Sequence, residues 1–137
     1  MPAPSATPGN TLSALERLKS RKVFGELMAE GKSITEFPFR MIVLRRDYDV
    51  IHPVKVAFSA PKSRLRAAHD RNLMKRRMRE SYRKNKHELI SWCHRRKTGL
   101  ALLFIAQCNT PAVYAVTEGK LVLLLNRFLK QNEKPSQ

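Results

Sequence analysis

Residues 62–86 read KSRLRAAHDRNLMKRRMRESYRKNK, and this stretch decides how the rest of the chain is arranged. It holds eleven of the chain's 27 basic residues and two of its 11 acidic residues, with no glycine or proline to break a helix. At about 100° per residue, Met74 and Met78 share one face. The face roughly opposite carries Asn72, Arg76, Arg79 and Arg83. The stretch therefore predicts a helix with a narrow buried stripe and a wide cationic face.

The charge of this predicted helix is one-sided, since Asp70 and Glu80 are its only acids. Like charges three or four residues apart repel each other and cost helix stability by a few tenths of a kcal/mol per pair. An ordinary solvated helix mixes the two signs on its surface. The cationic face therefore indicates a polyanionic partner, and an ordinary solvated face is the less favoured interpretation.

Length and composition limit the function classes. At 137 residues, the chain is predicted to form one domain with a modest core. A net charge of +16 is typical of proteins that bind nucleic acid, and an anionic membrane is the second choice. No apolar run reaches about 18 residues, so no transmembrane helix is predicted. The N-terminus does not have the basic-then-apolar order of a secretion signal.

The same composition predicts a cytoplasmic protein. It has only two cysteines, Cys93 and Cys108, and nothing else in the sequence indicates export. Both are interpreted as reduced thiols, and Cys108 is predicted to pack as a small apolar residue.

The pattern along the chain predicts one domain over 13–131 between two disordered tails, 1–12 and 132–137. Residues 1–10 contain three prolines and no charged side chain. Such a segment buries too little surface to offset the entropy lost on ordering.

The spacing of apolar residues predicts seven elements in the domain. In chain order they are a helix over 11–30, strands over 33–37, 39–45 and 54–59, a helix over 62–86, a strand over 99–107 and a helix over 112–130. The strand over 99–107 is apolar on both faces, as expected when both faces are covered. Residues 92–98 are predicted to be a polar connection, and Asn109-Thr110-Pro111 to cap the last helix. This order predicts an α+β sandwich in which helices cover one sheet.

Helical spacing also predicts which side chains of the two outer helices are buried. In the first helix they are Leu15, Leu18, Val23, Phe24, Leu27 and Met28. In the last helix they are Val116, Leu121, Leu124, Leu125, Phe128 and Leu129.

The sequence offers no evident catalytic or metal site. General acid–base cleavage of RNA needs an acid and a base that flank the scissile phosphate, and none of the four histidines has a motif partner. Cys93, His94 and Cys108 lack the paired spacing of a zinc site, so bound zinc is disfavoured. We therefore predict no catalytic residue, no metal ligand and no cofactor held by the protein alone.

Two neighbouring motifs carry a resemblance to a known family. Arg71-Asn72-x-x-Lys75-Arg76-x-x-Arg79-Glu80 resembles the signature helix of the bacterial ribonuclease P protein family. The preceding Pro61-Lys62-x-Arg64-x-x-x-Ala68-x-Asp70 is similar to the approach segment in one branch of that family. Leu73 stands where the family usually has a further arginine.

This resemblance implies a fold and a function. The fold is an α-β-β-β-α-β-α sandwich with a left-handed βαβ crossover. The function is that of the protein subunit of a ribonucleoprotein that removes the 5′ leader from precursor tRNA. The RNA subunit, with bound Mg²⁺, performs the hydrolysis, and the protein alone is inactive. The implied partners are that RNA and precursor tRNA, with no membrane and no obligate protein partner.

The resemblance also assigns residues to two surfaces of an RNA-binding domain. Those implied to contact the catalytic RNA are Lys62, Arg64, Arg71, Asn72, Lys75, Arg76 and Arg79. Those implied to line a cleft for the single-stranded leader are Phe24, Met28 and Phe39.

Two other functions are weighed against this one. A structural RNA-binding protein, of the ribosomal or RNA-chaperone type, fits the composition equally well, but the spaced motif favours the ribonuclease P subunit. A peripheral membrane protein is disfavoured because the basic helix lacks the broad apolar face needed to insert into a bilayer.

Overall fold

A computed structural model of the protein describes residues 12–132. Within these residues the α-helices are α1 (Arg21–Glu30), α2 (Ala68–Asn85), α3 (His87–Arg96) and α4 (Tyr114–Gln131). The strands are β1 (Lys32–Glu36), β2 (Phe39–Arg46), β3 (Val54–Ser59) and β4 (Gly99–Ala106). They form one sheet in the order β1-β2-β4-β3, and the predicted α+β fold is confirmed.

β4 joins the two halves of the sheet. β2 is antiparallel to both β1 and β4, whereas β3 runs parallel to β4. The chain therefore crosses from β3 to β4 through α2 and α3. Gly99 opens β4 where the backbone is crowded, because a Cβ atom there would collide with the carbonyl oxygens of Arg46 and Pro53.

Each face of the sheet carries its own core. The larger core joins α2, α3 and α4 to the sheet through residues such as Phe39, Val56 and Phe104. The smaller core lies under α1 and consists of Leu18, Leu27, Ile42, Ala101 and Leu103. Successive residues of β4 alternate between the two cores, so the prediction that this strand is covered on both faces is confirmed.

The first helix is shorter than predicted. Residues Ala14–Glu16 form a single 3-10 turn, here called the N-terminal turn, and α1 follows only after residue 20. Between them, Arg17 forms a parallel bridge with Val56, and the Leu18 amide donates to the Val56 carbonyl oxygen at 2.9 Å. Pairing with the edge strand β3 thus replaces the middle of the predicted helix.

The shorter α1 has an N-cap of its own, and two side chains predicted to be buried are exposed. Ser20 starts α1 afresh, because its hydroxyl accepts a hydrogen bond from the Val23 amide at 3.2 Å. Leu15 is 59% exposed and Met28 is 60% exposed, whereas Leu27 is fully buried as predicted.

Residues 92–98 are not the polar connection that was predicted. They belong mostly to α3, which follows α2 after Lys86. Leu89, Trp92 and Cys93 are spaced by three and one residues and bury one stripe of α3 in the larger core. The basic residues that resemble a loop in the sequence fall in the last turn, where cations interact favourably with the helix C-terminus.

α4 begins at Tyr114 rather than at residue 112, and Asn109-Thr110-Pro111 does not cap it. The residue before the helix is Val113, whose carbonyl oxygen accepts from both the amide and the hydroxyl of Thr117 at 3.0 Å. Val116 is 44% exposed, contrary to prediction. The other predicted core positions of α4 are buried or half-buried, namely Leu121, Leu124, Leu125, Phe128 and Leu129.

Candidate RNA interface

α2 begins six residues later than the sequence predicts, because residues 61–66 form a turn. Two amides of this turn donate to the Pro61 carbonyl oxygen at 3.1 Å. Arg71 Nη1 reaches back from the helix to the carbonyl oxygens of Leu65 at 3.0 Å and Arg66 at 2.7 Å. A guanidinium has five N–H donors, and its other nitrogens make no hydrogen bond within residues 12–132. Arg71 therefore closes the turn and still has donors for a ligand.

The buried stripe of α2 lies where the sequence places it. Met74 and Met78 are fully buried in the larger core. Tyr82 continues the stripe, with its ring 5.9 Å from that of Phe104 and 6.1 Å from that of Phe58. Burying each methionine contributes about 1.5–3 kcal/mol. This packing fixes the direction in which the cationic side of α2 faces.

Several basic residues of α2 outside the family motif are held by the protein itself. Arg77 donates to the Ala112 carbonyl oxygen before α4. Arg83 forms an ion pair with Glu80, and this hydrogen bond lowers the pKa of the Glu80 carboxyl group. Lys84 lies 5.5 Å from the centre of the Tyr114 ring.

Three of the four motif cations differ in this respect, the exception being Arg71. Lys75, Arg76 and Arg79 form no ion pair, hydrogen bond or ring contact within the described part of the chain. Arg76 is exposed, as is Asn72, whereas Lys75 and Arg79 are half-buried. These four residues are called the α2 basic face below. Lys62 and Arg64 are exposed on the turn that leads into α2, so they extend this face toward the start of the helix.

A cleft of about 250 Å³ opens beside the α2 basic face. It lies between the N-terminal segment, α1 and the edge strand β3, and we call it the β3 cleft. The residues that line it are Leu12, Arg17, Leu18, Phe24, Val56, Ala57, Phe58 and Arg79. The cleft brings aromatic rings and guanidinium groups together. Rings can stack on bases and guanidiniums can contact phosphates, so the arrangement suits a single strand of nucleic acid.

Two of the three predicted cleft residues lie elsewhere. Phe39 is fully buried in the larger core, on the sheet face opposite α1, and its ring is not available to a ligand. Met28 lies on the outer surface of α1 and does not line the cleft. Phe24 is the predicted residue that does line it, and it also packs against the smaller core.

Arg17 and Phe58 line the cleft although neither was predicted to do so. Arg17 belongs to a short basic segment, and the spacing of its charges does not predict which way each side chain faces. The bridge to Val56 fixes the position of Arg17. Phe58 continues the alternation of β3 on the side of the larger core, and its ring stacks on that of Phe104 with centroids 5.8 Å apart. An alternating apolar pattern alone indicates a core residue at this position.

A buried ion pair holds the N-terminal segment, which forms one side of the β3 cleft, against the helices. Glu16 in the N-terminal turn and Lys86 at the junction of α2 and α3 are both buried, with Nζ and Oε1 2.6 Å apart. Glu16 Oε2 also accepts from the Ser13 amide at 3.0 Å. The pair ties the segment that carries Leu12, Arg17 and Leu18 to the helical layer.

Within residues 12–132 there is no group of three or more His, Cys, Asp or Glu side chains that could hold a metal ion. Cys93 and Cys108 are free and buried, and burial raises the pKa of the Cys93 thiol to about 12. Cys108 packs in the larger core, as predicted. None of the described helices is long and apolar enough to span a bilayer.

The whole arrangement matches one family. The sequence profile of the Ribonuclease P family matches residues 12–128. The ribonuclease P protein component of Porphyromonas gingivalis is 32% identical over 94 residues, which cover 69% of this chain and 69% of that protein.

Solved structures share the fold. The ribonuclease P protein of Thermotoga maritima has a TM-score of 0.65 at 24% identity, over 82% of this chain and 96% of that one. The protein of Staphylococcus aureus has a TM-score of 0.63 at 19% identity, over 82% of this chain and 94% of that one. With the family profile covering nearly all the described residues, this chain belongs to the ribonuclease P protein family.

Proposed function

We propose that the α2 basic face binds the RNA subunit of ribonuclease P and that the β3 cleft holds the single-stranded 5′ leader of precursor tRNA. As a protein component of ribonuclease P, the chain is part of a ribonucleoprotein endoribonuclease and has an RNA subunit as its partner. We assign hydrolysis to that RNA with its bound Mg²⁺. The protein then supplies substrate binding and positioning.

The observation that carries this proposal is the contrast between two sets of cations on α2. Arg77, Arg83 and Lys84 have partners within the protein. Lys75 and Arg76 have none among the described residues, although repulsion between like charges on one helix face is unfavourable. Phosphate groups of an RNA would relieve this repulsion.

The position of Arg79 supports a shared role for the two surfaces. It belongs to the α2 basic face and also lines the β3 cleft. A leader strand in the cleft would therefore run beside the RNA held on α2. Stacking on Phe24 tolerates any base, which suits an enzyme that processes many different precursors.

The test of the α2 assignment is the double variant Arg76→Ala, Arg79→Ala. Neither side chain has a partner among residues 12–132, so the variant should fold with a stability change of about 0.5 kcal/mol or less. Its affinity for the RNA subunit should fall. The slope of log affinity against log salt should become shallower by roughly 0.7 to 0.9 for each phosphate contact that is lost. Both quantities are measured for wild type and variant across a salt series.

A matched control removes the same charge elsewhere. Lys22 on α1 and Lys120 on α4 have no partner among the described residues and line none of the cavities discussed here. The variant Lys22→Ala, Lys120→Ala should change affinity much less. Equal losses in both variants would mean that overall charge, and not the α2 basic face, determines binding.

A further inference from the structure

A second basic site lies between α3 and α4. The cavity there has a volume of about 680 Å³ and shares no lining residue with the α2 basic face or the β3 cleft. Among residues 12–132, three cations line it, Arg95, Arg96 and Lys130, together with Trp92 and one acid, Glu88.

Two guanidinium groups lie against the Trp92 ring. The Arg45 Cζ atom lies 5.7 Å from the centre of the indole and the Arg96 Cζ atom lies 5.2 Å from it. The indole itself is nearly fully buried and packs edge-on against Phe128, with the ring centroids 5.2 Å apart. Trp92 is therefore too buried to stack on a base. Its contribution is to restrict the two arginines, because cation–π contacts hold their side chains in place.

Basic residues are common at helix C-termini, whose free carbonyl groups carry partial negative charge, and this is the ordinary explanation for cations here. α3 and α4 both end at this site, and Arg96 donates to the carbonyl oxygen of Asn132 just beyond α4. Two helix C-termini carry about one negative charge together, and Glu88 adds another. The cations that line the cavity are Arg95, Arg96 and Lys130, and Arg45 contacts the indole without lining it. Within residues 12–132, the charge of these three lining cations exceeds what the helix ends and Glu88 balance, so the described part of the site is positive.

Two of these cations are available to a ligand. Arg95 and Lys130 are exposed, and neither forms an ion pair, hydrogen bond or ring contact within the described residues. They come from different helices, so no single helix dipole accounts for their meeting beside Trp92. Restricted guanidiniums beside exposed cations are suited to phosphate oxygens, which accept several charge-assisted hydrogen bonds at once.

We propose that this α3–α4 site binds backbone phosphates of the ribonuclease P RNA and forms a second, independent RNA contact. The inference rests on the RNA partnership of the family, and it does not depend on the assignment of the α2 basic face. Arg95 and Lys130 contact the phosphates directly, and Trp92 positions Arg45 and Arg96 behind them.

The test is the double variant Arg95→Gln, Lys130→Gln, measured with the purified full chain and the purified RNA subunit. Glutamine removes the charge and leaves the packing of Trp92 intact, so thermal unfolding should be unchanged. Affinity for the RNA should fall roughly tenfold at moderate salt, with a shallower salt dependence. The control Lys22→Gln, Lys120→Gln removes the same charge from positions outside the site.

Combining variants separates this site from the α2 basic face. If the two contacts are independent, the Arg95, Lys130 changes should weaken binding by the same factor in wild type and in the Arg76→Ala, Arg79→Ala background. If only the Arg76, Arg79 changes have an effect, this inference is wrong and the α2 proposal stands. If only the Arg95, Lys130 changes have an effect, the α2 proposal is wrong and this inference stands. An effect seen in cell extract but not with purified RNA would indicate a protein partner and would also overturn the inference.

Discussion

Phe24 is the side chain on which the proposed leader site depends most. It is half-buried, with one part of its ring packed against the smaller core and another part on the β3 cleft. Any substitution therefore acts on stability and on binding together. The two effects can be separated by the shape of the replacement.

We expect Phe24→Ala to weaken binding of precursor tRNA to the holoenzyme while binding of mature tRNA stays the same. Stacking on an aromatic ring is worth about 1–3 kcal/mol per base, which corresponds to roughly 5- to 150-fold in affinity. The measurement compares the dissociation constants of the two RNAs for wild-type and variant holoenzyme.

The control for this prediction is Phe24→Leu. Leucine keeps an apolar side chain in the smaller core, so the free energy of unfolding should change by less than about 1.5 kcal/mol. It has no aromatic face, so the selective loss for precursor tRNA should remain. Equal losses for precursor and mature tRNA would identify Phe24 as a core residue only.

The fates of Phe24 and Phe39 show what sequence can predict about single residues. Both are aromatic, and resemblance places both in one cleft. Phe39 alternates with Met41 and Val43 along β2, and all three point to the larger core. Alternation predicts that these three share a face, but it does not say which face α1 covers. That choice depends on the packing of α1, which the local pattern does not contain.

At the scale of elements, the buried pair of Glu16 and Lys86 joins the N-terminal turn to the helical layer. We expect Glu16→Gln to destabilise the protein by about 3–5 kcal/mol, because it leaves the Lys86 charge buried without its carboxylate. The measurement is the free energy of unfolding from a urea titration.

The matched experiment replaces both charges. The double variant Glu16→Gln, Lys86→Met should recover much of the stability lost in Glu16→Gln, because it no longer buries a lysine charge without its carboxylate. Unfolding free energies that simply add in the double variant would show that the two charges do not interact in the folded protein.

Elements with a strong local pattern were predicted closely, and those set by distant contacts were not. β4 lies within one residue of the predicted strand because its apolar run is long and uninterrupted. The predicted first helix was too long because Arg17 and Leu18 pair with Val56, which is far away in sequence. α3 was missed because three apolar side chains in a basic segment gain their stability from the core they enter.

For the molecule as a whole, we predict that the isolated protein does not cleave precursor tRNA in Mg²⁺. Among the described histidines, His69 is exposed beside Asp70, and His94 bonds to the carbonyl oxygen of Val50. No evident acid–base pair faces the β3 cleft within residues 12–132. The measurement follows precursor tRNA on a gel with protein that has been freed of RNA, and then with the RNA subunit added back.

The result that would contradict this prediction is cleavage by the RNA-free protein that disappears in a His→Ala variant. Treating the protein with a nuclease, and then removing that nuclease, excludes activity from carried-over RNA. Restored cleavage after adding the RNA subunit shows that the protein sample is competent.

The strand order has a consequence for how the protein folds during synthesis on the ribosome. The chain is made from its N-terminus, so β1, β2, β3 and α2 are all synthesised before β4. The nascent chain can close the β1–β2 hairpin early, but β3 gains its parallel neighbour only when residues 99–106 have emerged. Until then the apolar stripe of α2 lacks the Phe104 side of its core. α2 is thus translated before the strand that completes its core, and it can pack fully only after β4 has been synthesised.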